Sequence, residues 1–145
     1  DLVAMELIQE IPMEDGLKRH FLTVYENQVK ALKRYADPET GLWHTVIDDP
    51  DTYLELSASA AFLRGIMQGV RLGILNGEEY EELIEKAMKG LLDNISEDGT
   101  VENVSYGTPI GLDKEFYNTI PCCPMTYGQA LMILALSEAM TDYWH

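Results

Sequence analysis

The sequence predicts an all-α fold built from helical hairpins, and three observations support this prediction. Apolar residues recur at spacings of three and four along most of the chain, which is the period of an amphipathic helix. Two long connections separate the helical segments, at residues 37–56 and 94–125. Each connection carries the pattern Glu-x-Gly-x-x-x-x-Val, and the copies are offset by 58 residues, from Glu39 to Glu97. A repeated unit of helix, long loop and helix is typical of stacked helical hairpins.

Five helices are predicted, at residues 2–10, 16–36, 57–73, 78–93 and 126–141. The first ends before Pro12, because proline disfavours helical geometry in the residue before it. The second places Tyr25, Val29 and Leu32 on one face. The pair Asn76-Gly77 is a turn signal between the third and fourth helices. The fifth contains ALMILAL, which is apolar on all sides and predicts a helix buried all round.

The two long connections are the predicted functional part of the chain. If the repeat is genuine, both loops lie at the same end of the helix array, and binding sites commonly lie on loops held by a rigid scaffold. Loops longer than about 12–15 residues are usually functional or disordered. These loops do not have a disordered composition, because they contain Trp43, Tyr53, Tyr106, Phe116 and Tyr117.

Length and charge limit the classes of function. The 145 residues suit a single domain over 1–145, and the net charge of −15 argues against nucleic acid or an anionic membrane as partner. No apolar run approaches the roughly 20 residues of a membrane helix. No signal peptide is visible, which predicts a cytoplasmic location, although a chain that begins at Asp1 leaves export open. Cys122 and Cys123 are adjacent and are interpreted as reduced thiols, with no metal site.

The residue types in the loops suit a sugar, which presents apolar faces and polar edges. Aromatic rings would serve as platforms, and carboxylates and amides would bind the hydroxyl groups. The candidate platforms are Trp43, Tyr53, Tyr106 and Tyr127, and the candidate polar partners are Asp48, Asp49, Asp51, Glu55, Asn103 and Gln129. Glycoside cleavage commonly uses two carboxyl groups that flank the reacting bond. The sequence offers too many carboxylates for composition to select a pair.

Each candidate also has a structural interpretation. Trp43 can anchor the loop in the core, and His44 can be a hydrogen-bonded loop residue rather than a ligand contact. Glu55 lies among apolar neighbours, so its carboxylate must be either paired or functional. Ser57 can simply cap the helix that follows. These alternatives stay open at the level of sequence.

Three segments carry a resemblance to a known family. They are GLWHTVIDDPDTYLELSASAAF at 41–62, GIMQGVRLGIL at 65–75 and GTPIGLDKEFYNTIPCCPMTYGQALMILALSEA at 107–139. Together they resemble the unsaturated glucuronyl and rhamnogalacturonyl hydrolases of glycoside hydrolase family 105. The resemblance covers most of residues 5–140 in order, and its most specific parts are 53–60 and 124–130.

The resemblance implies an (α/α)6 barrel, which is a ring of six helical hairpins with the site in its mouth. It also implies that this chain is the C-terminal half of that barrel. The end helices would then expose apolar faces, which either the N-terminal half covers or self-association buries. The family requires no metal and no organic cofactor.

The resemblance further implies a reaction and a set of site residues. Family members hydrate the 4,5 double bond of an unsaturated uronic acid at the end of an oligosaccharide, as in pectin and rhamnogalacturonan degradation. The principal acid is an Asp in the N-terminal half, so no catalytic residue is assigned in this chain. Many members have Trp-x-Arg-Gly-x-Gly-Trp where this chain has residues 53–59, so those Arg and Trp contacts are absent. The predicted substrate-binding rim is Trp43, His44, Tyr53, Glu55 and Ser57, with Tyr106 and Tyr127 in a second tier.

Two other classes of function remain as alternatives. One is a non-catalytic helical-repeat module that binds a glycan or a peptide. The other is a different (α/α) barrel enzyme that acts on saturated sugars, such as an epimerase or an inverting glycosidase. Binding without turnover would favour the first, and activity on saturated sugars would favour the second.

Overall fold

A computed structural model describes residues 5–141, so residues 2–4 of the first predicted helix lie outside the described range. The helices are α1 (Met5–Glu10), α2 (Asp15–Tyr35), α3 (Leu56–Arg71), α4 (Gly77–Leu92), α5 (Lys114–Asn118) and α6 (Thr126–Ala139). The strands β1 (Val104–Ser105) and β2 (Cys122–Cys123) form an antiparallel pair. Within the described residues the five predicted helices are confirmed, with bounds shifted by a few residues. The short helix α5 and the two-residue strands were not predicted.

Helix α2 packs through the stripe of residues that its periodicity predicts. Tyr25, Val29 and Leu32 are buried, as expected for one face of an amphipathic helix. The hydroxyl of Tyr25 donates a hydrogen bond of 2.8 Å to the carbonyl of Gly65 in α3. Burial, and to a lesser degree the nearby Tyr80, raises the pKa of Tyr25, which keeps the hydroxyl protonated as a donor. This bond joins α2 to the centre of the core.

Helix α3 is that centre, and it contacts α1, α4 and α6. Small residues allow its neighbours to approach closely. A Cβ atom at Gly69 would lie only 2.9 Å from Cδ1 of Leu75, and one at Gly128 of α6 would lie 2.9 Å from Cγ1 of Val104. Glycine at these two positions is therefore a packing requirement.

The prediction that α6 is buried on all sides is wrong for the described structure. Its buried residues form one stripe, Gly128, Met132, Ala135 and Glu138, at helical spacing. By contrast, Ile133 is 55% exposed and Leu134 is 41% exposed. The reason is that α6 packs on α3 along one face, and the described residues do not cover its other faces.

An ion cluster joins three of the helices at the end of α3. Nε of Arg71 lies 2.5 Å from Oε1 of Glu138 in α6, and its Nη2 lies 2.8 Å from Oε1 of Glu6 in α1. Glu138 is buried, so its charge requires this partner. Among the described residues, no helix is long and apolar enough to span a membrane.

The two long loops meet at one end of the array, as the repeat predicts. The amide of Leu56 donates to the carbonyl of Asn103 at 3.3 Å, and Nζ of Lys114 lies 3.6 Å from carboxylate oxygens of both Asp48 and Asp49. The two repeated glycines also share a left-handed backbone, with φ of 71° at Gly41 and 85° at Gly99. That conformation favours glycine and explains why the pattern contains it.

Candidate functional site

The first loop folds back on itself as a short antiparallel ladder. The amide of Thr45 donates to the carbonyl of Tyr53 at 2.8 Å, and the amide of Glu55 donates to the carbonyl of Trp43 at 2.9 Å. Because side chains alternate across such a ladder, neighbouring residues of the motif face different surroundings. Five of the predicted site residues lie on this ladder or just after it, yet they do not all reach one recess.

Trp43 lies in the core and offers no ring face to a sugar. Its side chain is 0% exposed, and its Nε1–H donates to the carbonyl of Leu32 at 2.8 Å. The ring meets Phe62 edge to face, with centroids 5.5 Å apart, which is a favoured aromatic geometry. The structure therefore corrects the platform interpretation of Trp43 in favour of the core anchor.

Glu55 forms the N-terminal cap of α3, and Ser57, in the first turn, donates to it instead of capping the helix itself. The Glu55 carboxylate accepts from the amides of Ser57 and Ala58 at 3.2 and 2.6 Å, and from the Ser57 hydroxyl at 2.9 Å. It also accepts from the amide of Ser105 in the second loop, at 3.1 Å. A carboxylate at a helix N-terminus satisfies otherwise unpaired N–H groups. In this structure Glu55 therefore positions the helix and the loop, and a role as a direct sugar contact loses its basis.

Ser105 is the point at which the rim elements converge. Its amide is bound by Glu55, its hydroxyl lies 2.8 Å from the hydroxyl of Tyr53, and its carbonyl accepts from the hydroxyl of Tyr127. The amide of Gly107 donates back to the Tyr127 oxygen at 3.2 Å. Tyr53 and Tyr127 thus hold the second loop in place through their hydroxyl groups. Tyr106, by contrast, is 65% exposed to solvent.

One recess at the rim joins residues of both loops, and we name it the His44 cleft. It has a volume of about 170 Å³ and is lined by His44, Thr45, Ile47, Glu55, Ala58, Phe62 and Thr108. Of the seven predicted residues, His44 and Glu55 line this cleft. Tyr53 lines a second recess, and Trp43, Ser57, Tyr106 and Tyr127 line neither.

His44 is held in place from two sides. One ring nitrogen, Nδ1, lies 2.5 Å from the carbonyl of Thr52, and Nε2 lies 3.8 Å from Oδ2 of Asp37. Partial burial acts to raise the pKa of Asp37, but hydrogen bonds from the Thr40 side chain and from the amides of Thr40 and Glu39 outweigh it and lower that pKa. Asp37 therefore stays ionised and faces the imidazole as a fixed negative charge.

The His44 cleft can bind and orient a ligand, but its own residues supply little acid catalysis. Glu55 is the one carboxylate among the lining residues, and its oxygens are engaged in the cap. His44 is the remaining group that could transfer a proton. Within residues 5–141, no group of three or more His, Cys, Asp or Glu side chains is placed to hold a metal ion.

Sequence reasoning did not identify Asp37, Phe62, Ser105 and Thr108. Asp37 had a recognisable signal, because an Asp at the start of a turn commonly accepts hydrogen bonds from the amides two and three residues on, here those of Glu39 and Thr40. Ser105 follows Val104, which is the last residue of the second repeat copy, so the repeat could have directed attention to it. Phe62 and Thr108 had no local signal, because their position depends on how the two loops pack.

The cap interpretation of Glu55 makes a testable prediction. Glu55→Gln keeps one acceptor oxygen but places an NH₂ group where the carboxylate accepts amide hydrogens. We expect the free energy of unfolding to fall by about 1–2 kcal/mol, since one buried donor is left unpaired. Urea denaturation would measure the loss, with Glu97→Gln at an exposed position as the control. An unchanged stability would contradict the cap and return Glu55 to the list of ligand contacts.

Comparison with known proteins supplies the family. The sequence pattern of Glycosyl Hydrolase Family 88 matches residues 2–143. The chain is 33% identical over 141 residues to the unsaturated rhamnogalacturonyl hydrolase YesR of Bacillus subtilis. The aligned region covers 94% of this chain and 39% of that protein. The chain therefore spans well under half the length of this relative.

Two solved structures add the architecture. A possible member of the GH105 family from Klebsiella pneumoniae superposes with a TM-score of 0.88 at 40% identity, over 99% of this chain and 37% of that one. A family 105 glycoside hydrolase from C. acetobutylicum gives 0.81 at 26% identity, over 92% and 41%. The resemblance to family 105 is confirmed, and the helical hairpins are part of an (α/α)6 barrel. The chain thus belongs to Glycosyl Hydrolase Family 88, and it resembles the solved structures of family 105.

Proposed function

We propose that this chain is part of a hydrolase that acts on oligosaccharides ending in a 4,5-unsaturated uronic acid, such as the fragments of rhamnogalacturonan. The observation that carries the proposal is the 33% identity to the B. subtilis unsaturated rhamnogalacturonyl hydrolase over 94% of the chain. That span includes both rim loops, whose residues build the His44 cleft. Related proteins from Formosa agariphila and an Alteromonas species carry the name unsaturated 3S-rhamnoglycuronyl hydrolase, which favours the same substrate class.

The proposed reaction is a hydration. A general acid delivers a proton to C4 of the double bond, and the oxygen of a water molecule bonds to C5 while the water loses a proton. The product is a hemiketal, which opens and releases the remaining sugar. We assign the acid to a part of the barrel outside this chain, because Glu55 in the His44 cleft is engaged in its cap. In this proposal His44, backed by Asp37, binds the edge of the sugar that faces this rim.

The proposed role also accounts for the exposed apolar side chains of α2 and α6. Leu17, Phe21 and Val24 form an exposed stripe on α2 that is separate from its buried stripe, and Ile133 and Leu134 are exposed on α6. Exposed apolar surface of this kind marks an interaction face. We infer that the rest of the barrel covers these faces of α2 and α6. When the rest of the barrel is absent, self-association is the alternative way to bury them. A cytoplasmic location stays a prediction.

A chimera of this chain and the B. subtilis relative tests the proposal. The chain would replace the matched C-terminal segment of that hydrolase, and loss of ultraviolet absorbance from an unsaturated rhamnogalacturonan disaccharide would report turnover. We expect turnover by the chimera and none by the 145-residue chain alone, since the acid comes from the other segment. We also expect the chimera to bind less of the dye ANS per mole than the isolated chain, because the exposed apolar faces of α2 and α6 are covered in the chimera.

Two results would contradict parts of this proposal. Turnover by the isolated chain would place the acid within it, and His44→Ala would then be the first variant to assay. A folded chimera that binds the disaccharide without turnover would favour the non-catalytic module. His20→Ala, an exposed histidine on α2, is the matched control for His44→Ala.

A further inference from the structure

A second recess lies beside the His44 cleft and is larger than it. This recess, which we name the amide cavity, has a volume of about 310 Å³, at the lower end of the roughly 300–1,000 Å³ of small-molecule sites. Tyr53, Leu54 and Leu56 line it while Glu55 lines the cleft, so the two recesses share residues 53–56 as a common wall. The role proposed above for the His44 cleft does not use the amide cavity.

The amide cavity combines an apolar floor with a polar rim. Leu42 and Leu56 are 2% and 1% exposed and form the floor together with Gly90 of α4. A Cβ atom at residue 90 would lie 2.7 Å from the carbonyl oxygen of Thr40, so glycine lets the loop and helix close the base. The rim consists of Asp93, Asn94 and Asn103, where α4 ends and the second loop begins.

The rim is an ordered structure that presents acceptor oxygens. Nδ2 of Asn103 donates to Oδ1 of Asn94 at 2.7 Å, and Nδ2 of Asn94 donates to the carbonyl of Gly90 at 2.8 Å. Among the described residues, Oδ1 of Asn103 then has no protein donor, and it remains available as an acceptor. Asn103 also adopts φ of 57°, a left-handed conformation that asparagine tolerates better than most residues. Cys122 also lines this recess.

From these contacts we propose that the amide cavity is a binding site for a neutral sugar ring. The apolar floor suits the C–H face of a pyranose, and the acceptor oxygens of the rim suit its hydroxyl donors. An anionic sugar is disfavoured, because the whole chain carries a charge of −15, whereas the charge of Asp93 at the rim is paired with Lys89 of α4. Its position across residues 53–56 from the His44 cleft would let the site bind a neutral residue of a longer glycan.

Direct binding to the 145-residue chain tests this proposal without any turnover, so its failure and failure of the proposed hydrolase are separate results. Methyl α-glucopyranoside, methyl α-galactopyranoside and glucuronic acid would be titrated while ¹H–¹⁵N NMR follows the side-chain amides of Asn94 and Asn103. We expect these amides to shift with a neutral glycoside at a Kd on the order of 1 mM, and to respond more weakly to glucuronic acid.

Two variants probe the two halves of the site. Asn103→Gly removes the acceptor and keeps the left-handed backbone, so we expect Kd to rise about fivefold to tenfold, the loss of one hydrogen bond. Cys122→Leu places a larger side chain in the recess and should raise Kd at least as much, whereas Cys122→Ser should leave it unchanged. Asn27→Ala, at an exposed position on α2, is the control for Asn103→Gly.

The proposal is overturned if no neutral glycoside shifts the Asn94 and Asn103 amides at sugar concentrations well above the expected Kd. It is also overturned if glucuronic acid binds as well as the neutral glycosides, or if neither Asn103→Gly nor Cys122→Leu raises Kd above that of the parent chain. Because these variants act on different elements, a folding defect in one leaves the other to decide the result.

Discussion

Replacing Trp43 with alanine is expected to lower the free energy of unfolding by about 3–5 kcal/mol, the usual cost of truncating a large buried aromatic residue. The side chain is fully buried, meets Phe62 edge to face and donates to the carbonyl of Leu32. Domains of this size are stable by about 5–15 kcal/mol in total, so the variant should lose much of its resistance to urea. Circular dichroism during urea denaturation would measure the effect.

A milder variant separates packing from hydrogen bonding at the same position. Trp43→Phe retains a ring against Phe62 but leaves the carbonyl of Leu32 without its indole donor, so a loss of about 1–3 kcal/mol is expected. If Trp43→Ala instead cost less than about 1 kcal/mol, the ring would not be part of the core. The interpretation of Trp43 as an exposed sugar platform would then regain support.

Gly69→Ala is expected to cost about 3 kcal/mol, at the upper end of the usual range for overpacking a core. The added Cβ would lie 2.8 Å from Cζ of Tyr25 and 2.9 Å from Cδ1 of Leu75, and still closer to the Tyr25 hydroxyl oxygen. The tyrosine cannot move freely, because its hydroxyl is bonded to Gly65. Thermal and urea unfolding would both report the loss.

Two further variants test the mechanism of that loss. Gly16→Ala, on α2, meets no atom within 4 Å, so it should be neutral or stabilise the helix by up to about 1 kcal/mol. Tyr25→Phe in the Gly69→Ala background removes the nearest clash and should recover part of the stability, as a double-mutant cycle would show. A Gly69→Ala protein as stable as the parent would mean that α2 and α3 do not pack at this distance.

The sequence determined the helices, and it did so because helical periodicity is a local property. The stripe Tyr25, Val29 and Leu32 gave both the extent of α2 and its buried face, and these are confirmed. The repeat placed the two long loops at one end of the array, and their glycines Gly41 and Gly99 do share a backbone conformation. The motifs around residues 53–60 and 124–130 were long enough to predict the family, which the comparisons confirm.

The roles of the individual site residues were decided only by the tertiary structure. A carboxylate in apolar company can bind a ligand or cap a helix, and the donors from Ser57, Ala58 and Ser105 decided for the cap at Glu55. One of these donors lies 50 residues away, so no local pattern could reveal it. Likewise, the apolar run in α6 predicted burial, but burial depends on which neighbours surround the helix, and Ile133 and Leu134 remain exposed. Local periodicity thus fixed the elements, while contacts between distant segments decided which side chains face the core, the cap or a recess.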